Sequence, residues 1–165
     1  MATKKGIVIT IILLGAITAA SFAIWILPQN RGPALVVSDY GNEIESVKDR
    51  HLLIMSEMDS DLTGLLNHTI VPDDFIARAQ TSSSQTTSLI TEIIESNPPQ
   101  EWRESYFNYD EALKKYNDYL TETIALANKV KDNASSSDLS DEMSKIGSLR
   151  NDTNSFIAKS NETRP

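Results

Sequence analysis

The segment 102–130, WRESYFNYDEALKKYNDYLTETIALANKV, decides how we expect this chain to fold. Mostly apolar side chains recur along it at alternating steps of four and three residues, which is the spacing of a helix that packs against other helices. This stripe consists of Trp102, Tyr106, Tyr109, Leu113, Tyr116, Leu120, Thr123, Ala127 and Val130. Ala112, Tyr119 and Leu126 lie beside the stripe and widen it. The pattern therefore predicts the most buried helix of the fold.

Three further segments on either side of this helix show the same helical period. They cover residues 37–67, 72–96 and 139–156, and short breaks rich in proline, asparagine and serine separate all four segments. No segment has the alternating pattern of a strand. We therefore expect an all-α protein, with an N-terminal transmembrane helix followed by an up-down-up-down antiparallel four-helix bundle.

The second of these segments contains an unusual run of uncharged polar residues at 81–88, TSSSQTTS. Serine and threonine are poor helix formers and contribute little apolar burial. One interpretation is a seam of small residues where two helices pack closely. The other is a weak point of the bundle that opens or accepts a partner.

The N-terminal segment 6–27, GIVITIILLGAITAASFAIWIL, is uncharged, and as a helix it would extend about 33 Å, enough to cross a bilayer. Lys4 and Lys5 precede it and only Arg31 follows closely, which predicts a cytoplasmic N-terminus and a single-pass protein of the cell membrane. The alternative is a cleaved signal peptide, with its small-residue site at 21–23. A secretory apolar region is usually shorter, which favours the anchor.

These features divide the chain into five parts. We expect a cytoplasmic N-terminus at 1–5, a transmembrane helix at 6–27, a linker at 28–36, an extracytoplasmic helical bundle at 37–158 and a flexible tail at 159–165. Two prolines and a glycine interrupt any helix in the linker. The tail follows the last residues of the fourth stripe, and chain ends without packed residues usually fray.

The chain is acidic, with 15 basic and 23 acidic residues. Lys4 and Lys5 are the only charged side chains before Pro28, so residues 28–165 hold 13 basic and 23 acidic residues, a net charge of −10. This charge disfavours nucleic acid and anionic lipid surfaces as partners. The absence of cysteine excludes disulfides and thiol catalysis. Possible N-glycosylation sites occur at Asn67, Asn133, Asn151 and Asn161.

The sequence offers only two histidines, His51 and His68, for metal binding or catalysis. Neither follows a glutamate by three positions, which excludes the di-iron site of carboxylate bundles. His51, Met55 and Met58 share one helix face, so they are either core residues or ligands of copper or haem. No nucleophile motif or phosphate-binding loop is present. We therefore expect a protein that is not an enzyme and has no cofactor.

Two features resemble known classes of surface protein. Residues 5–8, Lys-Gly-Ile-Val, resemble the processing site of archaeal prepilins, which implies cleavage after Gly6 and a pilin-like surface subunit as a minor alternative. Pilins of that class usually carry β-rich heads, whereas this chain predicts helices only. The four-helix plan also resembles the sensor domains of membrane receptors, which implies a ligand-binding module.

Four further stretches are similar to a group of uncharacterised single-span membrane-anchored proteins of ammonia-oxidising archaea. They are residues 36–40 (VVSDY), 47–51 (VKDRH), 95–102 (ESNPPQEW) and 114–120 (KKYNDYL). The resemblance covers most of the chain. It implies an external location beneath a surface layer and implies no activity.

Phe107 and Trp102 are the predicted interaction residues. The first helix leaves the membrane and the second returns, so residues 97–109 should lie at the membrane-proximal end of the bundle. Phe107 points away from the buried stripe, on the face of Lys114 and Thr121. We therefore expect a non-catalytic interaction or accessory subunit that is anchored in the lipid bilayer and binds a membrane protein. The main alternative is an extracytoplasmic ligand- or metal-binding module.

The predicted orientation can be tested with a single cysteine, because the natural chain has none. Ser137→Cys should react with a membrane-impermeant maleimide on intact cells, since residue 137 belongs to the predicted extracytoplasmic bundle. Labelling is read by gel shift, with the cysteine-free chain as the control. Labelling that requires cell lysis would show that the orientation is reversed.

Overall fold

The structure is a computed structural model, and it describes residues 39–165. These residues form four α-helices: α1 (Tyr40–Leu66), α2 (Pro72–Glu95), α3 (Arg103–Lys131) and α4 (Ser136–Glu162). No strand occurs within this range. The prediction of an all-helical bundle is therefore confirmed. The predicted membrane segment 6–27 and the linker 28–36 lie outside the described residues.

The beginnings of three helices follow from local sequence signals. The Asp39 carboxylate accepts a hydrogen bond from the Asn42 backbone N–H at 3.1 Å and caps α1. The Ser135 hydroxyl oxygen caps α4 in the same way, at 3.2 Å from the Asp138 backbone nitrogen. Pro72 opens α2, where its fixed φ suits the first turn. Within residues 39–165, none of the helices is long and apolar enough to span a membrane.

The regular helix α3 begins at Arg103, one residue after the start of the segment 102–130 that the heptad pattern predicted. A separate turn precedes it, in which the Trp102 backbone N–H donates to the Pro99 carbonyl oxygen at 3.0 Å. This turn places the Trp102 side chain against the bundle before the regular helix begins.

Each connection between helices contains one residue in the left-handed backbone region. These residues are His68, Asn97 and Asn133, with φ angles of 58°, 48° and 53°. Each lies just beyond the C-terminal cap of a helix, the position where a left-handed residue ends a helix and turns the chain. Asparagine tolerates this conformation better than most residues, which explains its use at two of the three connections.

The core is built around α3, as its heptad pattern predicted. This helix contributes more buried residues than any other described helix. Four of its tyrosines are buried, and the hydroxyl group of each has a partner on α1. These pairs are Tyr106 with the Tyr40 carbonyl and the Glu43 carboxylate, Tyr109 with His51, Tyr116 with the Ile54 carbonyl, and Tyr119 with the Asp59 carboxylate. The hydroxyl groups therefore fix how α1 lies along α3.

Polar contacts connect α4 to both of its neighbours. The Ser105 hydroxyl of α3 donates to the Ser160 carbonyl oxygen at 2.8 Å, and both serines are fully buried. On the α1 side, Arg150 forms a bidentate ion pair with Asp59, and Arg164 pairs with Glu45.

These contacts correct the expected flexible tail at 159–165. The α4 helix continues to Glu162, beyond the predicted end of the bundle at residue 158. The sequence signal was weak because the residues that hold this end, Ser160 and Arg164, are polar and do not extend the apolar stripe. Small serines allow α3 and α4 to approach, and the ion pair holds the chain beyond the helix.

A charge at the centre of α3 should unfold the bundle. The Leu113 side chain is fully buried, so Leu113→Asp would place an unpaired carboxylate in the core and cost about 3 kcal/mol or more. Urea unfolding of residues 34–165, followed by circular dichroism, measures the loss. Thr121→Asp, at an exposed position of the same helix, is the matched control and should change stability by less than about 1 kcal/mol. Equal stability of the two variants would mean that α3 is not central.

Candidate functional site

An aromatic cluster closes the end of the bundle where α1 begins and α2 and α3 meet. The Tyr106 ring contacts Tyr40 and Trp102 edge to face, with ring centroids 6.1 and 6.3 Å apart. The Tyr106 hydroxyl lies 2.9 Å from the Tyr40 carbonyl oxygen and 2.7 Å from the Glu43 carboxylate. Burial, followed by this carboxylate, raises the pKa of Tyr106, so the phenol keeps its proton.

Trp102, one of the two predicted interaction residues, belongs to this cluster. Its ring is half-buried and packs over Gly41, where an added Cβ would lie 3.3 Å from the ring. Any larger residue at position 41 would therefore press on the indole. The contacts of Trp102 with Tyr106 and Gly41 mean that much of this ring supports the fold itself.

Phe107, the other predicted interaction residue, points outward as its position off the stripe predicted. Its side chain is 60% exposed. Ile94, which is 63% exposed, lies in the last turn of α2 on the other side of the α2–α3 connection. We call these two residues the Phe107 surface. The sequence predicted an outward position for Phe107 but not for Ile94, because the period of α2 marks only the residues that face the core.

His51 lies at the centre of the bundle and is fully buried. Its Nδ1 atom is 3.0 Å from the Tyr109 hydroxyl oxygen, and its ring lies edge to face with Tyr116 at a centroid distance of 4.8 Å. The other ring nitrogen, Nε2, is buried and has no hydrogen-bond partner among residues 39–165. Burial, assisted by the charge of Arg150, lowers the pKa of His51 to about 4, so the imidazole is neutral at physiological pH.

Met55 and Met58, the other two candidate copper ligands, are also buried on α1. The interpretation as core residues accounts for the burial of all three side chains. The unpartnered Nε2 atom is the one feature of His51 that core packing leaves unexplained. Within the described part of the chain, no group of three His, Cys, Asp or Glu side chains is arranged to hold a metal ion.

The polar run 81–88 has two different sides in the structure. On the α3 side, Ser83 donates to the Asn117 side-chain oxygen at 2.6 Å, which is the close contact expected of a small-residue seam. On the α1 side, Thr81, Ser82, Gln85 and Ser88 line an open groove. Several of the hydroxyl groups donate to the carbonyl four residues earlier, so their hydrogens are satisfied within α2.

The four possible glycosylation sites are all exposed. Asn67 and Asn133 follow α1 and α3, so both lie at the end of the bundle opposite the Phe107 surface. Asn151 lies in the middle of α4. Asn161 lies near its end, where the side-chain oxygen accepts a hydrogen bond from the Lys48 ammonium at 3.3 Å.

Comparison of the chain with protein-family models, with curated proteins and with solved structures finds no match.

The buried His51 should make stability depend on pH. The unfolded chain binds a proton near the usual histidine pKa of 6.5, whereas folded His51 stays neutral until about pH 4. Stability should therefore fall as the pH drops through this window, by up to about 3 kcal/mol. His51→Gln retains a hydrogen-bonding group for Tyr109 and removes this titration. Urea unfolding of residues 34–165 at several pH values should show a smaller loss for the variant, and parallel curves would contradict a buried neutral His51.

Proposed function

We propose that this protein is a membrane-anchored, extracytoplasmic helical bundle that acts as a non-catalytic interaction or accessory subunit. In this proposal residues 6–27 form a transmembrane helix, and the rest of the chain forms an up-down-up-down antiparallel bundle outside the cell. The partner is a membrane protein. The observation that carries the proposal is the exposed Phe107 side chain at the end where the chain enters the bundle.

Two exposed apolar side chains at this end support an interaction role. A single exposed apolar residue is common on protein surfaces and needs no explanation. Phe107 and Ile94, however, flank the same connection, and each leaves about three-fifths of its side chain in water. Water contact with large apolar side chains is unfavourable, so burial of this pair against a partner would contribute to binding.

The charge of the bundle favours protein over nucleic acid or lipid headgroups as the partner. With a net charge of −10 over residues 28–165, the domain would be repelled by phosphate-rich surfaces. Phe107 and Ile94 are both apolar, so the part of the contact that they make with a partner would be apolar. The first residue of α1, Tyr40, lies at the same end, so the predicted anchor is joined to the bundle there.

Replacement of Phe107 should separate binding from folding. Phe107→Asp should leave the melting temperature of residues 34–165 within about 2 °C of the natural protein, since the side chain is exposed. The full chain carrying this variant should recover less of its partner proteins from native membranes, as measured by quantitative mass spectrometry. Thr121→Asp adds the same charge on the same face of α3 and should leave recovery unchanged. Loss of several degrees in Phe107→Asp would show that Phe107 is a core residue.

The second candidate function is a ligand- or metal-binding module, which the unpartnered His51 Nε2 atom favours. If Nδ1 donates its proton to the Tyr109 oxygen, Nε2 is free to bind a soft metal together with thioether sulfur from Met55 or Met58. Stoichiometric copper in the purified protein that disappears in His51→Ala would favour this candidate over a purely structural histidine.

A further inference from the structure

A groove runs along the surface between α1 and α2. It consists of two adjoining hollows of about 510 and 340 Å³ that share Glu57 and Gln85 as lining residues. The two helices run antiparallel, as their ion pairs show: Arg50 of α1 pairs with Glu92 of α2, and Asp61 of α1 pairs with Arg78 of α2. We call this feature the α1–α2 groove. It lies apart from the Phe107 surface and shares no residue with it.

Ion pairs mark the two ends of the groove. The Arg50 guanidinium is 2.6 Å from the Glu92 carboxylate at one end, and the Arg78 guanidinium is 2.7 Å from the Asp61 carboxylate at the other. Arg50 and Asp61 are eleven positions apart on α1, which corresponds to about 16 Å or three helical turns. The open length therefore matches a short helical segment.

The groove has an apolar floor and one low wall. Ile54, Met58 and Leu89 form the floor, and Leu53 on the α1 rim is 61% exposed. The α2 wall belongs to the polar run 81–88, whose short side chains leave room for another backbone to approach. Thr81 and Ser88 donate their hydroxyl hydrogens to carbonyl oxygens of α2 itself, at 3.0 and 3.1 Å.

These properties favour a helix over an extended peptide as the occupant. An extended peptide must find partners for its backbone N–H and C=O groups, and two hydroxyl groups of the α2 wall, those of Thr81 and Ser88, already donate within α2. A helix satisfies its own backbone and needs only an apolar stripe to cover the floor. Small residues on that stripe would suit the low wall.

One charge in the groove determines what the partner helix should carry. Arg50, Glu92, Arg78 and Asp61 neutralise one another in pairs. Glu57 is exposed, lines both hollows, and takes part in no ion pair among the described residues. The complementary group is a cation near the middle of the bound segment.

We propose that the α1–α2 groove binds one amphipathic helix of a partner protein, about three turns long, with a stripe of small and apolar residues and a lysine or arginine that faces Glu57. This site is a second interaction surface and does not depend on the function proposed for Phe107. It assigns a role to the side of the 81–88 run that the α3 seam leaves open.

The test uses the full chain in lipid nanodiscs and a defined probe. The probe is a fluorescent, side-chain-stapled helical peptide of about fourteen residues with an alanine and leucine stripe and one central lysine. Its affinity is measured by fluorescence anisotropy. The wild-type chain should bind the lysine peptide more tightly than it binds a matched peptide that has glutamate in place of the lysine. The Glu57→Gln variant should bind the lysine peptide roughly threefold more weakly than the wild-type chain does, as expected for the loss of an exposed ion pair.

Two tryptophan variants locate the binding site. Gln85→Trp fills the centre of the groove and should weaken binding by about tenfold or more, because the indole occupies the volume of the peptide stripe. Ser84→Trp makes the same substitution at an adjacent exposed position that does not line the groove, and it should leave affinity unchanged. Circular dichroism of both variants confirms that the bundle remains folded.

Several results would overturn the proposal. One is failure of the lysine peptide to bind the wild-type chain. Another is equal binding of the peptide by the Gln85→Trp and Ser84→Trp variants, because this would mean that the peptide adsorbs non-specifically to an acidic protein. Phe107→Asp should not affect peptide binding. If that variant alone removed it, the peptide would bind the Phe107 surface, and the groove assignment would be wrong while the proposed function stood.

Discussion

The arrangement of this bundle depends on the hydroxyl groups of the buried α3 tyrosines. A phenol that is buried without a hydrogen-bond partner is costly, so each hydroxyl group must find one. All four find it on α1, from Tyr106 near one end of α3 to Tyr119 thirteen residues further along. The apolar stripe of α3 would tolerate some sliding of its neighbours. The tyrosine hydroxyl groups do not tolerate such sliding, because a shift of α1 by one residue would break all four of their hydrogen bonds at once.

Ion pairs join α1 to both of its other neighbours, α2 and α4. The face of α1 toward α3 is committed to the tyrosines and the apolar core, so α1 meets α4 largely through long charged side chains. Arg150 shows the connection most clearly, since it pairs with Asp59 on α1 while its guanidinium lies 5.7 Å from the ring centre of Tyr119. Between α1 and α2, two ion pairs span the α1–α2 groove, which the small side chains of the 81–88 run do not fill. The α1–α2 groove is thus a consequence of where α3 holds α1.

The candidate sites differ in how far the sequence could predict them. Phe107 was identified from periodicity alone, because a residue off the buried stripe of a helix must face outward. The burial of His51 was also predicted, but the unpartnered Nε2 atom was not, since it depends on which groups of other helices surround the ring. The groove was visible only as an unexplained polar run at 81–88, and the sequence left open whether this run packs closely or opens. It does both, on opposite sides of α2.

By itself the sequence determined the number, type and approximate bounds of the helices, because these depend on short-range signals. The signals are the apolar period, Pro72 at the start of α2, and the asparagines that turn the chain after α2 and α3. Only the tertiary structure decided the end of α4, the partners of the tyrosines and the open side of α2. Each of these involves polar or small residues, which carry no periodic signal. Their position is set by long-range contacts such as Ser105 with Ser160, and those contacts form only when the helices meet.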